Sequence, residues 1–305
     1  VVLPATARSG ARVLAAPLGS IYFLRNHPRI ERSFRVEEPS VNEFDRVHRR
    51  DRQTWQVADP QEHRRRVRTL FARISPIYDR VNHLLSLNLD RRWRRRAASR
   101  LDRDVWEVLD VCAGTGDLAL ACATAGRGRV WLALDFCSEM LRGARPKPGA
   151  NRLRMVVGDG LQIPLADRSV DAVVIGFGLR NLASVKDGLV EMDRVLRPDG
   201  QLLVLEFFRD DPRADGAERG KSRVVRGLLA RLLPLAGRLA GDRDDSYDYL
   251  PGSMEQFLTV AECARLLRVA GYRDVFVERQ TFGIAHLVGG RKTGALAAEG
   301  STGLA

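Results

Sequence analysis

From Val105 to Phe208 the chain alternates short β-branched or leucine-rich runs with stretches of helical periodicity. VWEVLDV (105–111) precedes a helix from about residue 116, and VWLALD (130–135) a helix near 138–145. RLRMVVGD (152–159) and VDAVVIGF (170–177) follow, then a helix over 185–196 and QLLVLEFF (201–208), with RPDG at 197–200 as the turn. Parallel strands need long crossovers, usually helical, so this order predicts βαβ units and a mostly parallel sheet. VAECARLLRVAGY (260–272) reads as a helix stopped by Gly271, before two last strand candidates, DVFVERQ and GIAHLVGG. Seven strands are expected in all.

The ends read differently. HRRRVRTLFARI (63–74) sets Val67, Leu70, Phe71 and Ile74 at helical spacing, and Ser75-Pro76 turns the chain towards Val81, Leu84 and Leu85. Residues 1–100 hold 22 arginines and 10 acids, so the net charge of +12 lies in the first third. That asymmetry fits an anionic lipid surface or a nucleic acid, and equally an arginine-rich solvated face. Residues 1–60 are read as a loosely ordered extension. Their first thirty positions contain four arginines and no acid, as organellar transit peptides do. The longest uncharged stretch there, residues 13–24, is too short to span a bilayer. Residues 61–292 form the expected domain and 293–305 a flexible tail. Within the domain, 219–241 combine leucine pairs with arginines around Pro234. They fit a helix lying on a membrane or lidding a ligand, or a core-packed insertion. Cys112, Cys122, Cys137 and Cys263 make no CxxC pair and no metal spacing, so a reduced cytoplasmic compartment and no metal are expected.

VLDVCAGTGDLA joins a strand to a helix through a glycine turn, and Gly114 and Gly116 allow backbone to approach a ligand closely. The spacing also satisfies the dinucleotide pattern G-x-G-x-x-A. Asp117 at the helix opening and Asp110 at the end of the feeding strand argue against a diphosphate. They favour a cationic carrier with a sulfonium and an α-ammonium, as in S-adenosylmethionine. Their structural alternatives are a helix-dipole acid for Asp117 and a buried, partnered carboxylate for Asp110. Asp135, 19 residues after Gly116, can take both hydroxyls of a ribose in either kind of site, and Asp159 and Gly160 fall where an adenine edge would be read.

With these residues in view the chain resembles the ubiquinone/menaquinone biosynthesis C-methyltransferases, class I S-adenosylmethionine enzymes. The carrying motifs are YDRVNHLLSLNLDRRWRR (78–95), LDVCAGTGDLA (109–119), GFGLRNL (176–182), MDRVLRPDGQLLVLEF (192–207) and YDYLPGS (247–253). The resemblance covers about 65–292. It implies an α/β fold of the class I methyltransferase, Rossmann-like type: a mostly parallel seven-stranded sheet flanked by helices, with an N-terminal helical region and a helical insertion near 210–245. It implies that Thr115, Asp135, Asp159 and Gly160 contact the cofactor, with Gly176 beside it offering backbone where relatives often carry Ser. Cys112-Ala113 and Phe257-Leu258 depart from the usual pattern. The implied product is a ring-methylated isoprenoid quinol, nearer to the menaquinone-making branch than to the ubiquinone branch.

Methylating a ring carbon requires an acceptor that loses a phenolic proton and is held in line with the methyl group. Arg180 follows the fourth strand, where open α/β sheets place ligands. A guanidinium keeps its proton, so Arg180 is expected to steady the quinolate oxygen, with Asn181 orienting the ring or a water. Tyr78, Asp79 and His83, or water held by them, are the candidate proton acceptors. Each has a structural reading too: a core aromatic, a helix cap and a structural histidine. Trp93 and Tyr249 could line the quinol pocket or simply pack. A polyprenyl substrate lives in the bilayer, so peripheral contact with an anionic membrane at its inner face is expected. No nucleic acid is expected, and a homo-oligomer is left open. The rivals are methylation of another small molecule or RNA, a nucleotide-dependent oxidoreductase, and a non-catalytic cofactor-binding subunit.

Overall fold

The computed structural model describes residues 21–23, 59–210 and 257–293. The rest of the extension, the insertion near 210–245, Tyr249 with its YDYLPGS motif, and the tail beyond 293 lie outside the described residues. Three helices precede the alternating part: α1 Pro60–Ile74, α2 Tyr78–Leu85 and α3 Leu89–Ser99. α1 starts where Asp59 accepts the N–H groups of Gln61 and Glu62 and Pro60 fills the first turn. Of the four positions its periodicity picks out, Val67 and Ile74 are buried and Leu70 and Phe71 are half-buried.

The alternating part folds as β2 Glu107–Val111, α4 Asp117–Thr124, β3 Val130–Asp135, α5 Ser138–Ala144, β4 Leu153–Val157, β5 Val170–Gly176, α6 Val185–Val195 and β6 Leu196–Glu206. α7 Val260–Val269, opened by a capping box between Thr259 and Glu262, leads into β7 Tyr272–Gln280 and β8 Ala285–Lys292. These seven strands are the expected sheet, all parallel except β8, which is antiparallel to β6 and β7. To them is added β1 Ile21–Phe23, paired parallel to β4 at the sheet edge, so the order is β1-β4-β3-β2-β5-β6-β8-β7. Part of the segment expected to be loose is therefore a strand. Backbone pairing on an open edge needs no side-chain pattern to announce it.

Both sheet faces are covered. Leu109, Val111, Leu132 and Ile175 pack towards α6 and α7, while Val108, Ala133, Met155 and Val174 pack towards α3, α4 and α5. The strand order reverses between β2 and β5, and at such a switch point two crossovers diverge and leave a crevice at the carboxyl ends of the strands. The backbone is strained at that place. Cys112 after β2 (φ 55°) and Phe177 after β5 (φ 60°) are non-glycine residues in the left-handed region. A Cβ at Gly178 would come 2.4 Å from that of Cys112, so the two strand ends meet only with glycine there. Among the described residues no helix is long and apolar enough to cross a membrane.

Candidate active site

The crevice is an open cleft above the ends of β2, β3 and β5. Gly114, Asp135, Asp159, Gly160 and Gly176 line it from the sheet side, and Tyr78 and Asn181 from above. Gly114 and Gly116 take φ values of 55° and 76°, and a Cβ on Gly114 would lie 3.2 Å from Met140 Cε. The turn thus keeps open a backbone surface that a side chain would close.

Asp135 stands at the end of β3 with little exposure. The Gly114 N–H donates to its Oδ2 and the Cys137 N–H to its Oδ1, each at 2.8 Å. Burial pushes its carboxyl up to about 6 against these two bonds. Each oxygen keeps a lone pair for a ribose hydroxyl. Asp159 accepts the Leu161 N–H at 2.9 Å and is paired with Arg64 of α1.

Asp110 departs from the expected picture. It shares the Val108 face of β2, and lies beneath the turn rather than along the cleft. Its Oδ2 accepts the Ala119 N–H at 2.9 Å. Gly116, the N-cap of α4, has no side chain to satisfy the first turn, so the strand supplies the acceptor. Burial raises Asp110 to about 8. Asp110 thus caps the Ala119 N–H in the first turn of that helix.

Asp117 also differs from expectation. It forms an ion pair with Lys147, whose ammonium lies 2.8 Å from Asp79 Oδ2 and 2.9 Å from Thr115 Oγ1. Thr115 in turn donates to Asp79 at 2.6 Å. Thr115 and Asp79 are thus joined beside the cleft, and α2 is clasped to the glycine turn. His83 Nδ1 donates to the Asp90 carboxylate at 2.9 Å. His83, Asp90 and Asp117 could gather around a cation, yet Arg94 and Lys147 already neutralise the two carboxylates.

Arg180 lies in the turn after β5, almost fully buried and paired with the wholly buried Glu206 of β6. Its guanidinium carbon sits 5.7 Å from the Phe207 ring centre. Arg180, expected to steady a quinolate oxygen, is already in an ion pair, because an arginine buried beside a central strand needs a counter-charge. Arg180 Nε and Asn181 Oδ1 are nevertheless buried without a partner: one spare donor and one spare acceptor on adjacent residues. Asn181 also offers its carbonyl to His63 Nε2 of α1 at 3.1 Å.

Tyr78 is forced by burial to hold its proton more tightly, with Arg94 and Arg180 opposing. It is a neutral phenol at neutral pH and so a hydrogen-bonding group. Trp93 does not line the cleft. It is buried with its indole N–H on Thr281 (2.8 Å) and packs against Phe177 and Phe207, whose rings lie 4.6 Å apart. Sequence reasoning missed Lys147, Glu206, Arg94, Arg64 and His63. Only Lys147 carried a signal, as one of four lysines in a chain whose other cations are arginine.

The cleft thus offers a buried carboxylate with spare lone pairs at Asp135, a second carboxylate at Asp159 and an open glycine turn. These fit the adenosyl part of S-adenosylmethionine. Residues 58–292 match the ubiE/COQ5 methyltransferase family. The demethylmenaquinone methyltransferase of Deinococcus radiodurans is 40% identical over 239 residues, covering 77% of this chain and 96% of the relative. The ubiquinone/menaquinone biosynthesis C-methyltransferase UbiE of Geobacter sulfurreducens is 38% identical over 74% of this chain and 88% of its own length. The fold is also that of the Burkholderia thailandensis 1,6-didemethyltoxoflavin-N1-methyltransferase, solved with S-adenosylhomocysteine. Its TM-score is 0.51 at 20% identity, over 78% of this chain and 92% of that one.

Proposed function

The chain belongs to the ubiE/COQ5 methyltransferase family, and from that premise we propose that it methylates a ring carbon of a polyprenyl quinol, converting demethylmenaquinol to menaquinol. The observation that carries the reading is the pairing, in one cleft, of Asp135 beside an open glycine turn with the Tyr78–Asn181 wall across from it. One side suits a nucleoside and the other a phenolic ring.

S-adenosyl-L-methionine, when bound, supplies an electrophilic methyl group. Asp135 would hold its ribose, Asp159 and Gly160 the adenine, and the backbone at Gly114, Gly116 and Gly176 its remaining length. Thr115, Asp117 and Asp79 act through the Lys147 clasp, which fixes the turn against α2. Asp110 fixes the helix that follows.

The acceptor must be aligned and must lose a phenolic proton as the ring carbon attacks. Asn181, which lines the cleft, would accept a quinol hydroxyl through Oδ1, and Arg180, buried behind that lining, would donate from Nε–H to the oxygen as charge develops there. Glu206 keeps Arg180 fixed, so the donor needs no reorganisation. Tyr78, neutral, orients the second ring oxygen, and the proton leaves to water. A polyprenyl tail keeps this substrate in the bilayer, so the reaction would run at the cytoplasmic face of a membrane with peripheral contact to anionic lipid.

Anaerobic incubation with labelled S-adenosylmethionine and reduced demethylmenaquinone tests the reading, with the benzoquinol precursor of ubiquinone in parallel. Label in the naphthoquinol product is expected. Cofactor binding with no label in either quinol would overturn it.

A further inference from the structure

The hairpin between α2 and α3 presents a surface that neither the cleft nor the core explains. Leu84 is 59% and Leu87 78% exposed, the second in a left-handed conformation that leucine rarely adopts. The reason lies on the inner side. His83 and Ser86 both turn to Asp90, at 2.9 and 2.7 Å, and the Asn88 N–H closes onto the His83 carbonyl at 2.7 Å. With the polar residues stapled inward, the two leucines are held outward on a stiff tip.

Exposed arginines surround them: Arg80 one turn before Leu84, and Arg91, Arg92 and Arg95 on the first turns of α3. None has a carboxylate partner among the described residues, whereas Arg96 and Arg100, one turn further on, share Glu278. Cations at Arg91 and Arg92 oppose the helix dipole, which favours acids in a first turn. The first-turn acid, Asp90, is turned inward onto Arg94, so these exposed cations have no carboxylate among the described residues and fit an anionic outside partner.

We propose that this hairpin is the membrane-docking face, with Leu84 and Leu87 entering the acyl boundary of an anionic bilayer and the four arginines resting on its phosphates. A convex leucine tip has no place on a nucleic-acid backbone, and four unpaired like charges repel a second copy. The proposal rests on the polyprenyl quinol reading and gives it a geometry. α2 begins at Tyr78 in the cleft wall and reaches Leu84 about 9 Å later at the helical rise. A quinol head leaving the bilayer beside the tip has one helix to follow into the site.

Co-sedimentation of the full chain with vesicles tests it, using phosphatidylcholine alone and phosphatidylcholine with phosphatidylglycerol. The Leu84→Asp/Leu87→Asp and Arg91→Gln/Arg92→Gln double variants run beside wild type. Aspartate tolerates the left-handed position better than leucine, and unchanged melting temperatures confirm the fold. Wild type is expected to bind the anionic vesicles, and each double variant to bind them at least tenfold more weakly. Turnover of a short-chain, water-soluble quinol should stay unchanged. Wild type that ignores anionic vesicles, or either variant binding like wild type, overturns the docking face. So does a size-exclusion shift showing that the leucines join two copies. Quinol turnover with no vesicle effect sinks this inference alone. Vesicle binding lost in the variants with no quinol turnover in any protein keeps the docking face and sinks the substrate reading.

Discussion

Lys147 Nζ lies 2.8 Å from Asp79 Oδ2 and also holds Asp117, so one ammonium joins the helix above the cleft to the first turn of the helix below it. All three side chains are mostly buried, which places the cluster above the value of an exposed pair. Lys147→Met should cost about 1–2 kcal/mol in denaturant unfolding. It should raise the KM for S-adenosylmethionine several-fold with a smaller change in kcat, and Lys147→Arg should restore most of both. A variant with an unchanged KM would mean that the cluster holds the helices without reaching the turn.

Asp110 gives the fold a pH dependence. Its carboxyl, at about 8 in the folded chain, lies above its unfolded value near 4, so folding takes up a proton between those limits. Stability is then fullest below about pH 4 and falls as pH rises through about 8, by about 1.4 kcal/mol per unit at most. Asp110→Asn keeps an acceptor for the Ala119 N–H and has no charge to bury. Unfolding measured from pH 5 to 9 should show a shallower decline in this variant, and parallel curves would place the titration elsewhere.

What could be read from the sequence follows a physical division. The strands, their order and the glycine turn were legible because period and composition act locally, as in VWLALD or the helical spacing of Val67 and Ile74. Asp135 was legible because it follows its own strand into the cleft. Arg180 was visible as an anomaly, but Glu206 sits 26 residues away on the adjacent strand, and only the register of Gly176 opposite Leu205 brings them together. The same holds for Lys147, which reaches Asp79 and Thr115 across three elements. Trp93 stayed open between pocket and core because an aromatic with a polar tip suits either. Its indole N–H finds Thr281, 188 residues on, and that pairing buries it.

Asp135 should make cofactor binding acid-sensitive. Its carboxyl titrates at about 6, and the charged form is the better acceptor for ribose hydroxyls. The Kd for S-adenosylmethionine, measured by calorimetry, should be flat above about pH 7 and weaken up to tenfold per unit below about 6. Asp135→Asn should bind more weakly at pH 8 and lose the pH dependence. A wild-type Kd constant from pH 5 to 8 would remove this carboxylate from the binding site.

Replacing Arg180 alone confuses two roles, because it strips the counter-charge from a buried carboxylate. Arg180→Ala should lose about 3–5 kcal/mol of stability, the usual cost of breaking a buried pair from one side. Replacing both partners with apolar groups of similar size, Arg180→Met with Glu206→Leu, should recover most of that loss. The recovered fold then isolates the chemistry. If Arg180 Nε–H steadies the ring oxygen, the double variant keeps its affinity for S-adenosylmethionine and loses about 100-fold or more in kcat, as removal of an oxyanion donor does elsewhere. Full turnover in the refolded pair would show that Arg180 answers only to Glu206, and the donor would have to be sought at Tyr78.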